Sequence, residues 1–160
     1  MVGDLIVDPV NHFRGRSEHS LDGKGRLNIP TRFREVLRDQ YGEKLMVTPW
    51  NKCLKAYPVP QWEKMELQLL AHLKDQPEPG MKKMIRYMLG GVVECLLDKQ
   101  GRILLPPKLR EEGGIGREVV ISGVMTYFEI IDKQIWEEDN KPTAADYENF
   151  DLSLLKAGLM

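Results

Sequence analysis

The stretch LDGKGRLNIP (residues 21–30) recurs as LDKQGRILLP (residues 97–106). Asp, Gly, Arg and Pro keep their spacing, and apolar residues match apolar residues at an offset of 76 positions. Farther along, Trp62-Glu63 matches Trp136-Glu137 at an offset of 74, so one loop is two residues shorter in the second copy. Self-similarity of this kind indicates a repeated structural unit. We therefore infer an internal duplication.

The first motif connects two predicted strands. Residues 13–22 alternate loosely between apolar and polar side chains, and Arg26–Ile29 predicts a short second strand. Glycines on both sides of Lys24 give the backbone conformational freedom, so the turn suits a hairpin. Pro30 fits the first position of a helix, which Gly42 ends. The apolar face of this helix comprises Phe33, Val36, Leu37 and Tyr41.

Periodic segments continue through both copies. In the first copy they predict strands at Leu45–Thr48 and Cys53–Tyr57 and a helix from Pro60. In the second copy they predict strands at Val92–Leu97, Ile103–Leu105, Val119–Ser122 and Tyr127–Ile131, and helices at Pro106–Glu112 and Asp132–Glu137. We expect the valines of 92–93 and 119–120 to be more buried than their first-copy counterparts. The matched residues Trp62 and Trp136 are predicted to anchor the core.

Composition divides the chain into five parts. They are a leader, a first unit with its helix, a linker, a second unit with a preceding helix, and an acidic tail: 1–12, 13–75, 76–80, 81–137 and 138–160. The preceding helix, Met81–Leu89, is amphipathic, and its methionines suit either core filling or a subunit interface. The tail holds five acidic and two basic residues, a net charge of −3, and its composition predicts weak order.

Bulk composition excludes several functional classes. The 160 residues are 42% hydrophobic and 29% charged, as expected of one compact domain or of two small units with a shared core. Because the net charge is only −1, no global field attracts DNA or an acidic membrane. A nucleic-acid site would therefore require local segregation of charge. No apolar run approaches the roughly 20 residues that cross a bilayer.

Residue types that support metal binding or catalysis are few and scattered. Cys53 and Cys95 follow no metal-ligand spacing and fit buried apolar positions in a cytosolic protein. The histidines His12, His19 and His72 have no partners at ligand spacing. The sequence contains no nucleophile–base pair and no glycine loop typical of a phosphate site. We predict no metal, no cofactor, no small-molecule substrate and no enzymatic activity.

A single copy is too small to be stable alone. It has a few short strands and one or two helices, and an isolated hairpin is marginal in water. Two copies can satisfy each other's strand edges and bury a common core. The sequence therefore predicts two interleaved hairpins related by a pseudo-twofold axis, which would also relate the two glycine turns.

Three segments carry a resemblance to the MraZ family: FRG at 13–15, LDGKGRL at 21–27 and DKQGRILLP at 98–106. Both copies contain the Asp-x-x-x-Arg signature of that family, as Asp22 and Arg26 and as Asp98 and Arg102. The resemblance covers about 13–137. It implies a β-rich α+β fold of tandem pseudo-twofold AbrB-like swapped-hairpin units, forming a small double-psi-like barrel with flanking helices.

The same resemblance implies a function. Members of the family are DNA-binding transcriptional regulators of the bacterial division and cell-wall gene cluster, and they repress operons that include their own. They form ring-shaped homo-oligomers and bind short direct repeats of double-stranded DNA in a promoter. The resemblance therefore implies a cytoplasmic, nucleoid-associated protein with no membrane partner.

Charge separates the two copies. Residues 13–38 hold seven basic and three acidic residues, a net of +4, whereas 91–114 hold four of each. Because DNA affinity depends on phosphate neutralisation, we hypothesise that the first copy makes most DNA contacts. The second copy would mainly complete the fold and the ring. The candidate DNA-binding residues, placed by the resemblance and this charge, are Arg14, Arg16, Lys24 and Arg26.

Structural alternatives stand beside this interpretation. Asp22 and Arg26 could simply pair across their turn, and for Asp98 and Arg102 the structural role is favoured because their window is neutral. The alternative function is a non-enzymatic interaction or antitoxin-like scaffold module with the same fold. The duplication argues against it, since antitoxins of this type typically carry one copy and a long toxin-binding tail.

Overall fold

The computed structural model describes residues 12–75 and 78–159, and these form eight strands and six helices. The strands are β1 (Arg16–Ser20), β2 (Arg26–Asn28), β3 (Lys44–Pro49), β4 (Leu54–Pro58), β5 (Val93–Leu96), β6 (Arg102–Leu104), β7 (Glu118–Gly123) and β8 (Phe128–Asp132). The helices are α1 (Thr31–Gln40), α2 (Val59–Lys74), α3 (Pro79–Gly91), α4 (Pro107–Glu112), α5 (Lys133–Asp139) and α6 (Ala144–Lys156). The predicted leader, apart from His12, and linker residues 76–77 lie outside the described residues.

The strands form two antiparallel sheets. The larger has six strands in the order β1-β7-β8-β4-β3-β5, and the smaller pairs β2 with β6. Among the strands of the described residues, only the β3–β4 and β7–β8 pairs join strands of one copy. Every other ladder joins the two copies. The predicted α+β class and the sharing of strand edges between copies are confirmed.

Exchanging the two copies leaves the pairing register unchanged. Glu18 of β1 lies opposite Val120 of β7, and their counterparts Glu94 and Met46 lie opposite each other in β5 and β3. In each of the two remaining ladders, the central pair consists of equivalent residues of the two copies. In the ribbon of β2 and β6 this pair is Leu27 and Ile103. In the large sheet the corresponding pair is Lys55 and Glu129. An internal pseudo-twofold axis therefore relates the copies and passes through these two pairs.

One apolar core is built from both copies. Phe13, Phe33 and Phe128 pack at its centre with ring centroids 5.2 to 5.3 Å apart. Leu27 and Ile103, the central ribbon pair, are 0% and 1% exposed beneath the small sheet. Full burial of each such side chain contributes about 1.5 to 3 kcal/mol. The two units therefore do not have separate hydrophobic cores.

A second cluster covers one end of the large sheet. Tyr57 and Tyr127 stack at 4.8 Å, and Trp62 of α2 packs against them together with Met88 of α3. The core role predicted for Trp62 is confirmed, because its side chain is buried. The same prediction for Trp136 is wrong. Its side chain is only half-buried, and the guanidinium of Arg16 lies 5.2 Å from its ring centre.

Three further expectations need correction. The strands on either side of the first glycine turn do not form a hairpin with each other, because β2 finds its ladder partner in β6 of the other copy. The expected greater burial of the second-copy valines is confirmed for Val92 and Val120, whose counterparts Arg16 and Met46 are less buried. It is wrong for Val93, which is half-buried like Ser17, and for Val119, which is fully buried like Leu45. The acidic tail contains the helix α6, although its composition predicts weak order.

Candidate nucleic-acid interface

The first glycine turn is organised by the Asp22 carboxylate. Its Oδ1 accepts the backbone N–H groups of Lys24 and Arg26, both at 2.9 Å, and its Oδ2 accepts Nε–H of Arg26 at 2.6 Å. The backbone closes the same loop, since Gly25 N–H donates to the Asp22 carbonyl at 3.0 Å. Asp22 and Arg26 therefore do pair across the turn, which holds the arginine in a fixed direction.

The second turn repeats this geometry. Asp98 Oδ1 accepts the backbone N–H groups of Gln100 and Arg102 at 2.8 and 2.9 Å, and Oδ2 accepts Nε–H of Arg102 at 2.9 Å. Gly101 N–H donates to the Asp98 carbonyl at 3.0 Å. The signature is thus a self-contained turn motif in which one carboxylate satisfies two backbone amides and one guanidinium.

These bonds stabilise the ionised form of both aspartates. The backbone N–H of Arg26 is the largest cause that lowers the pKa of Asp22 to about 2, and the Arg26 guanidinium and the Lys24 amide act in the same direction. The pKa of Asp98 is lowered chiefly by the backbone N–H of Arg102. Amides that donate to a carboxylate favour its charged form. Both turns therefore keep their ion pairs at neutral pH.

Each turn is braced by an arginine of the other copy. A Cβ built at Gly25 would lie 3.1 Å from the guanidinium carbon of Arg110, and one built at Gly101 would lie 2.7 Å from a guanidinium nitrogen of Arg34. Both glycines have positive φ, +87° and +79°. Arg34 Nε–H donates to the Ile29 carbonyl at 3.0 Å, which positions it for this contact. Each turn therefore packs against an arginine side chain of the opposite copy.

The ribbon of β2 and β6 presents both signature arginines on one face. Leu27 and Ile103 point inward, so the alternate residues on each strand point outward together. Leu104 on that outer face is 53% exposed. The side chains of Arg26 and Arg102 are 36% and 25% exposed. The outer face of the ribbon comprises Arg26, Asn28, Arg102 and Leu104.

Basic side chains surround this face on both sides. Lys24 and Lys99 are exposed in the two turns, and the guanidiniums of Arg34 and Arg110 lie against the turn glycines. Two carboxylates, those of the signature aspartates, are already paired with arginines. The six basic side chains of the ribbon and its turns therefore outnumber the two signature carboxylates by four, although the net charge of the chain is −1.

The structure does not bring all the predicted site residues together. Lys24 and Arg26 share the first turn, but Arg16 begins β1 at the end remote from that turn, about 13 Å from Ser20 at the rise of a strand. Arg14 is exposed just before it, and a guanidinium nitrogen of Arg32 lies beside Gly15. Arg14 and Arg16 thus belong to a second basic group, at the start of β1.

Sequence reasoning missed the bracing arginines Arg34 and Arg110. Both occupy matched positions, 76 residues apart, within predicted helices, and this repetition was the available signal. It also missed Asn28 and Leu104, whose exposure depends on the pairing of β2 with β6. That pairing is a long-range contact between the copies, which neither motif specifies alone.

The described residues carry neither a membrane span nor a metal cluster. None of the helices in 12–75 and 78–159 is both long and apolar enough to cross a bilayer. Over the same ranges, no three His, Cys, Asp or Glu side chains are grouped so that they could hold a metal ion. Burial raises the pKa of the Cys53 and Cys95 thiols to about 12, so neither is ionised at neutral pH.

Fold and site together define a class: a duplicated α+β protein in which two Asp-x-x-x-Arg turns frame a shared β-ribbon. The family described as "MraZ protein, putative antitoxin-like" matches residues 12–82 and 88–149. The chain therefore belongs to the MraZ family, as the sequence predicts.

Relatives named Transcriptional regulator MraZ match most of the chain. A protein of Syntrophobacter fumaroxidans is 44% identical over 137 residues, which are 86% of this chain and 90% of that protein. One of Desulforapulum autotrophicum is 39% identical, over 80% of this chain and 85% of that protein. One of Desulfitobacterium hafniense is 38% identical, over 92% of this chain and 99% of that protein.

Proposed function

We propose that the protein is a DNA-binding transcriptional regulator that uses the outer face of the β2–β6 ribbon to read its operator. The observation that carries the proposal is the convergence of both signature arginines on that face. The names of the relatives support a role in transcription. A non-enzymatic role in the cytoplasm, in association with the nucleoid, follows from this function.

The ribbon suits the major groove in shape and chemistry. That groove of B-DNA admits a two-stranded β-ribbon, whereas the minor groove is about half as wide. An arginine fork pairs with the O6 and N7 atoms of guanine, an asparagine amide pairs with adenine, and an apolar side chain contacts the thymine methyl group. Arg26, Asn28, Arg102 and Leu104 supply one set of these groups per chain. Lys24 and Lys99, both exposed in the turns, would neutralise phosphates beside them.

A single ribbon of three residues per strand reads few base pairs, so we propose that the protein acts as an oligomer. Repetition of the ribbon around a ring, matched to short direct repeats in a promoter, raises affinity through effective concentration. Within this proposal the fold is the AbrB-like swapped-hairpin type. The regulated genes are the division and cell-wall cluster, including the operon of the protein itself, and the expected action is repression.

The test is a gel-shift series with the promoter region of the protein's own operon and a scrambled duplex as the control for specificity. Arg26→Ala and Arg102→Ala are compared with wild type across salt concentrations. Loss of one phosphate or base contact is expected to weaken binding by about tenfold or more, since one good base contact contributes about 1 to 3 kcal/mol. If the first copy makes most contacts, Arg26→Ala has the larger effect.

Lys64→Ala, at an exposed position of α2, is the matched control for removal of one cation away from the ribbon. Both arginine variants also require urea unfolding curves, because each removes an ion pair from a turn. Wild-type affinity and an unchanged salt slope in both variants would contradict the assigned interface. Equal binding of operator and scrambled duplex by wild type would instead favour the protein-interaction alternative.

A further inference from the structure

The tail helix α6 is well formed, but none of its residues is buried against the rest of the described chain, 12–75 and 78–159. Its start is fixed by a capping box, in which the Thr143 hydroxyl accepts the Asp146 N–H at 3.2 Å and the Asp146 carboxylate accepts the Thr143 N–H at 2.8 Å. Even so, its large apolar side chains are exposed, including Tyr147 at 60% and Phe150 at 59%. A stable helix with exposed aromatic residues indicates a binding surface.

Three apolar side chains of α6 form a stripe bordered by carboxylates, whereas Leu152 and Leu155 lie outside that stripe. Tyr147, Phe150 and Leu154 follow one another at i, i+3 and i+7, so they lie on one face of the helix. Asp146 and Asp151 lie on the two sides of that stripe at 100° per residue. Only Lys156, in the last turn, offsets the three acidic residues of the helix. A partner groove would therefore be apolar at its floor and basic at its rims.

A groove with this character lies between α3 and α4. Its volume is about 620 Å³ and its lining includes Met84, Tyr87 and the glycine pair 90–91. Met84 and Tyr87 are 53% and 52% exposed, although they are large and apolar. The Tyr87 hydroxyl donates to Glu112 at 3.0 Å, which ties the two helices together. A Cβ at Gly90 would meet nothing within 4 Å, so a helix can approach closely there.

The rims of the groove carry the complementary charge. Lys83 and Arg86 of α3 and Lys108 of α4 line it, against one acidic side chain, Glu112. Helix α3 has three basic residues and none that is acidic. Charge patterns of opposite sign on two apolar surfaces favour one register and speed their encounter. The stripe of α6 and the α3–α4 groove therefore match in polarity, sign and helical geometry.

The two surfaces lie at different parts of the fold. Helix α3 packs on β3, whereas α5, from which the tail extends, packs on β7 and β8. Strands β7 and β3 are separated by β8 and β4 in the sheet. The exposure of the α6 stripe shows that it does not occupy the groove of its own chain.

We infer that α6 of one subunit docks into the α3–α4 groove of the next, so that copies join head to tail through two different surfaces. Such a heterologous contact closes into a ring when the rotation between subunits permits it. The inference rests on the oligomer in the proposed function and assigns the surfaces that build it. It also gives a role to the exposed methionine of α3, which the core does not use.

The experiment is a charge swap in the full chain. The variant Lys83→Glu/Arg86→Glu reverses the charge of the groove. The variant Glu148→Lys/Asp151→Lys reverses the charge of the tail helix and leaves the capping box intact. Solution mass is measured by light scattering for wild type, for each variant alone and for a 1:1 mixture. Lys64→Glu/Lys74→Glu on α2 is the control for an equal charge change elsewhere.

Wild type and the control are expected to assemble. Each swap variant alone is expected to run at the 18.4 kDa of one chain. The mixture is expected to regain the assembly, because every reversed tail finds a reversed groove and every unchanged tail an unchanged groove. Circular dichroism verifies that both variants remain folded.

Two results overturn the inference alone: variants that keep the wild-type assembly, and variants that lose it without recovery on mixing. Recovery requires contact between subunits, so docking within one chain cannot produce it. A wild-type protein that is monomeric contradicts the proposed oligomer as well. Binding of that monomer to the operator in the gel-shift series would then still support the DNA-binding part of the proposed function.

Discussion

The two Asp-x-x-x-Arg turns have the same structure but different charge surroundings. Their carboxylates make the same three hydrogen bonds, and their glycines contact arginines of the opposite copy. The first turn, however, presents Lys24 where the second has Gln100, and its arginine is the more exposed of the two. The bonds that build the turn involve the backbone and the signature pair. The remaining positions are therefore free to differ between the copies.

This comparison separates structural from functional roles. The bracing arginines are matched, the ribbon centre is matched, and both turns support the same two-stranded sheet. Substitutions of the residues that build the turns and the ribbon should consequently change the free energy of unfolding by similar amounts in the two copies. Substitutions that affect DNA should have unequal effects, because the local charge differs.

The largest expected effect is at the ribbon centre. Leu27→Ala and Ile103→Ala each remove a fully buried side chain from the pair on the pseudo-twofold axis. We expect each to lower the free energy of unfolding by about 3 kcal/mol, within the range for large-to-small core substitutions. Urea unfolding measures both. If the two losses in free energy of unfolding differ by more than about 2 kcal/mol, the two copies do not contribute equally to the core.

A smaller and unequal effect is expected at the turn glycines. A Cβ at Gly25 would lie 2.8 Å from the Leu105 carbonyl oxygen, which is backbone, whereas the three atoms nearest to one at Gly101 all belong to the Arg34 side chain. Both substitutions to Ala also force a left-handed conformation. We expect Gly25→Ala to cost about 2 kcal/mol and Gly101→Ala about 1 kcal/mol. Gly23→Ala, at an open position, is the control, and the reverse order of costs would contradict the geometry.

The smallest expected effect is the loss of stability at low pH. The pKa of Asp22 is lowered from 3.8 to about 2, and that of Asp98 is also lowered from 3.8. Since the unfolded chain protonates first as pH falls, the stabilisation by these carboxylates is complete above about pH 4. It is lost progressively as the pH falls toward 2. NMR titration of the carboxyl carbons is expected to show both midpoints below 3.8.

The same titration in Arg26→Ala refines the comparison. The midpoint of Asp22 should rise but stay below 3.8, because the backbone amides of Lys24 and Arg26 remain as donors. The midpoint of Asp98 should not move. A shift at both sites would mean that the two turns are electrostatically coupled across the ribbon.

Much of the fold could be predicted from repetition in the sequence. The matched motifs indicate two copies, and the small size of each copy requires that they share edges and core. Local patterns also place most elements within one to three residues of their bounds, as for α4, predicted at Pro106–Glu112 and observed at Pro107–Glu112. These features depend on spacing and periodicity, which the sequence contains directly.

The partners of each strand could not be predicted in the same way. A glycine turn between two strands is typical of a hairpin, yet β2 pairs with β6 because the other copy offers a matching strand. The predicted burial of Trp136 is wrong for a similar reason. Met88 of α3 packs with Trp62 in its cluster, whereas the guanidinium of Arg16 lies beside the ring of Trp136. Such outcomes depend on tertiary neighbours.

The candidate site was predicted in part. The signature residues and Lys24 lie where the motif indicates, whereas Arg14 and Arg16 lie at the far end of β1. A local sequence motif predicts the tail helix, although the composition of the tail indicates weak order. Thr143 followed three residues later by Asp146 is a capping-box pattern, and it marks the start of α6.

The central pair of the large sheet shows what fusion of two units into one chain makes possible. Lys55 and Glu129 occupy equivalent positions and face each other across the axis. In a dimer of identical single-copy chains, any residue at this place would meet itself, and a charged one would meet its own sign. Like charges directly opposite destabilise a ladder, whereas opposite charges support it. Joined in tandem, the halves can diverge where self-contact would otherwise forbid it, and a lysine can meet a glutamate there.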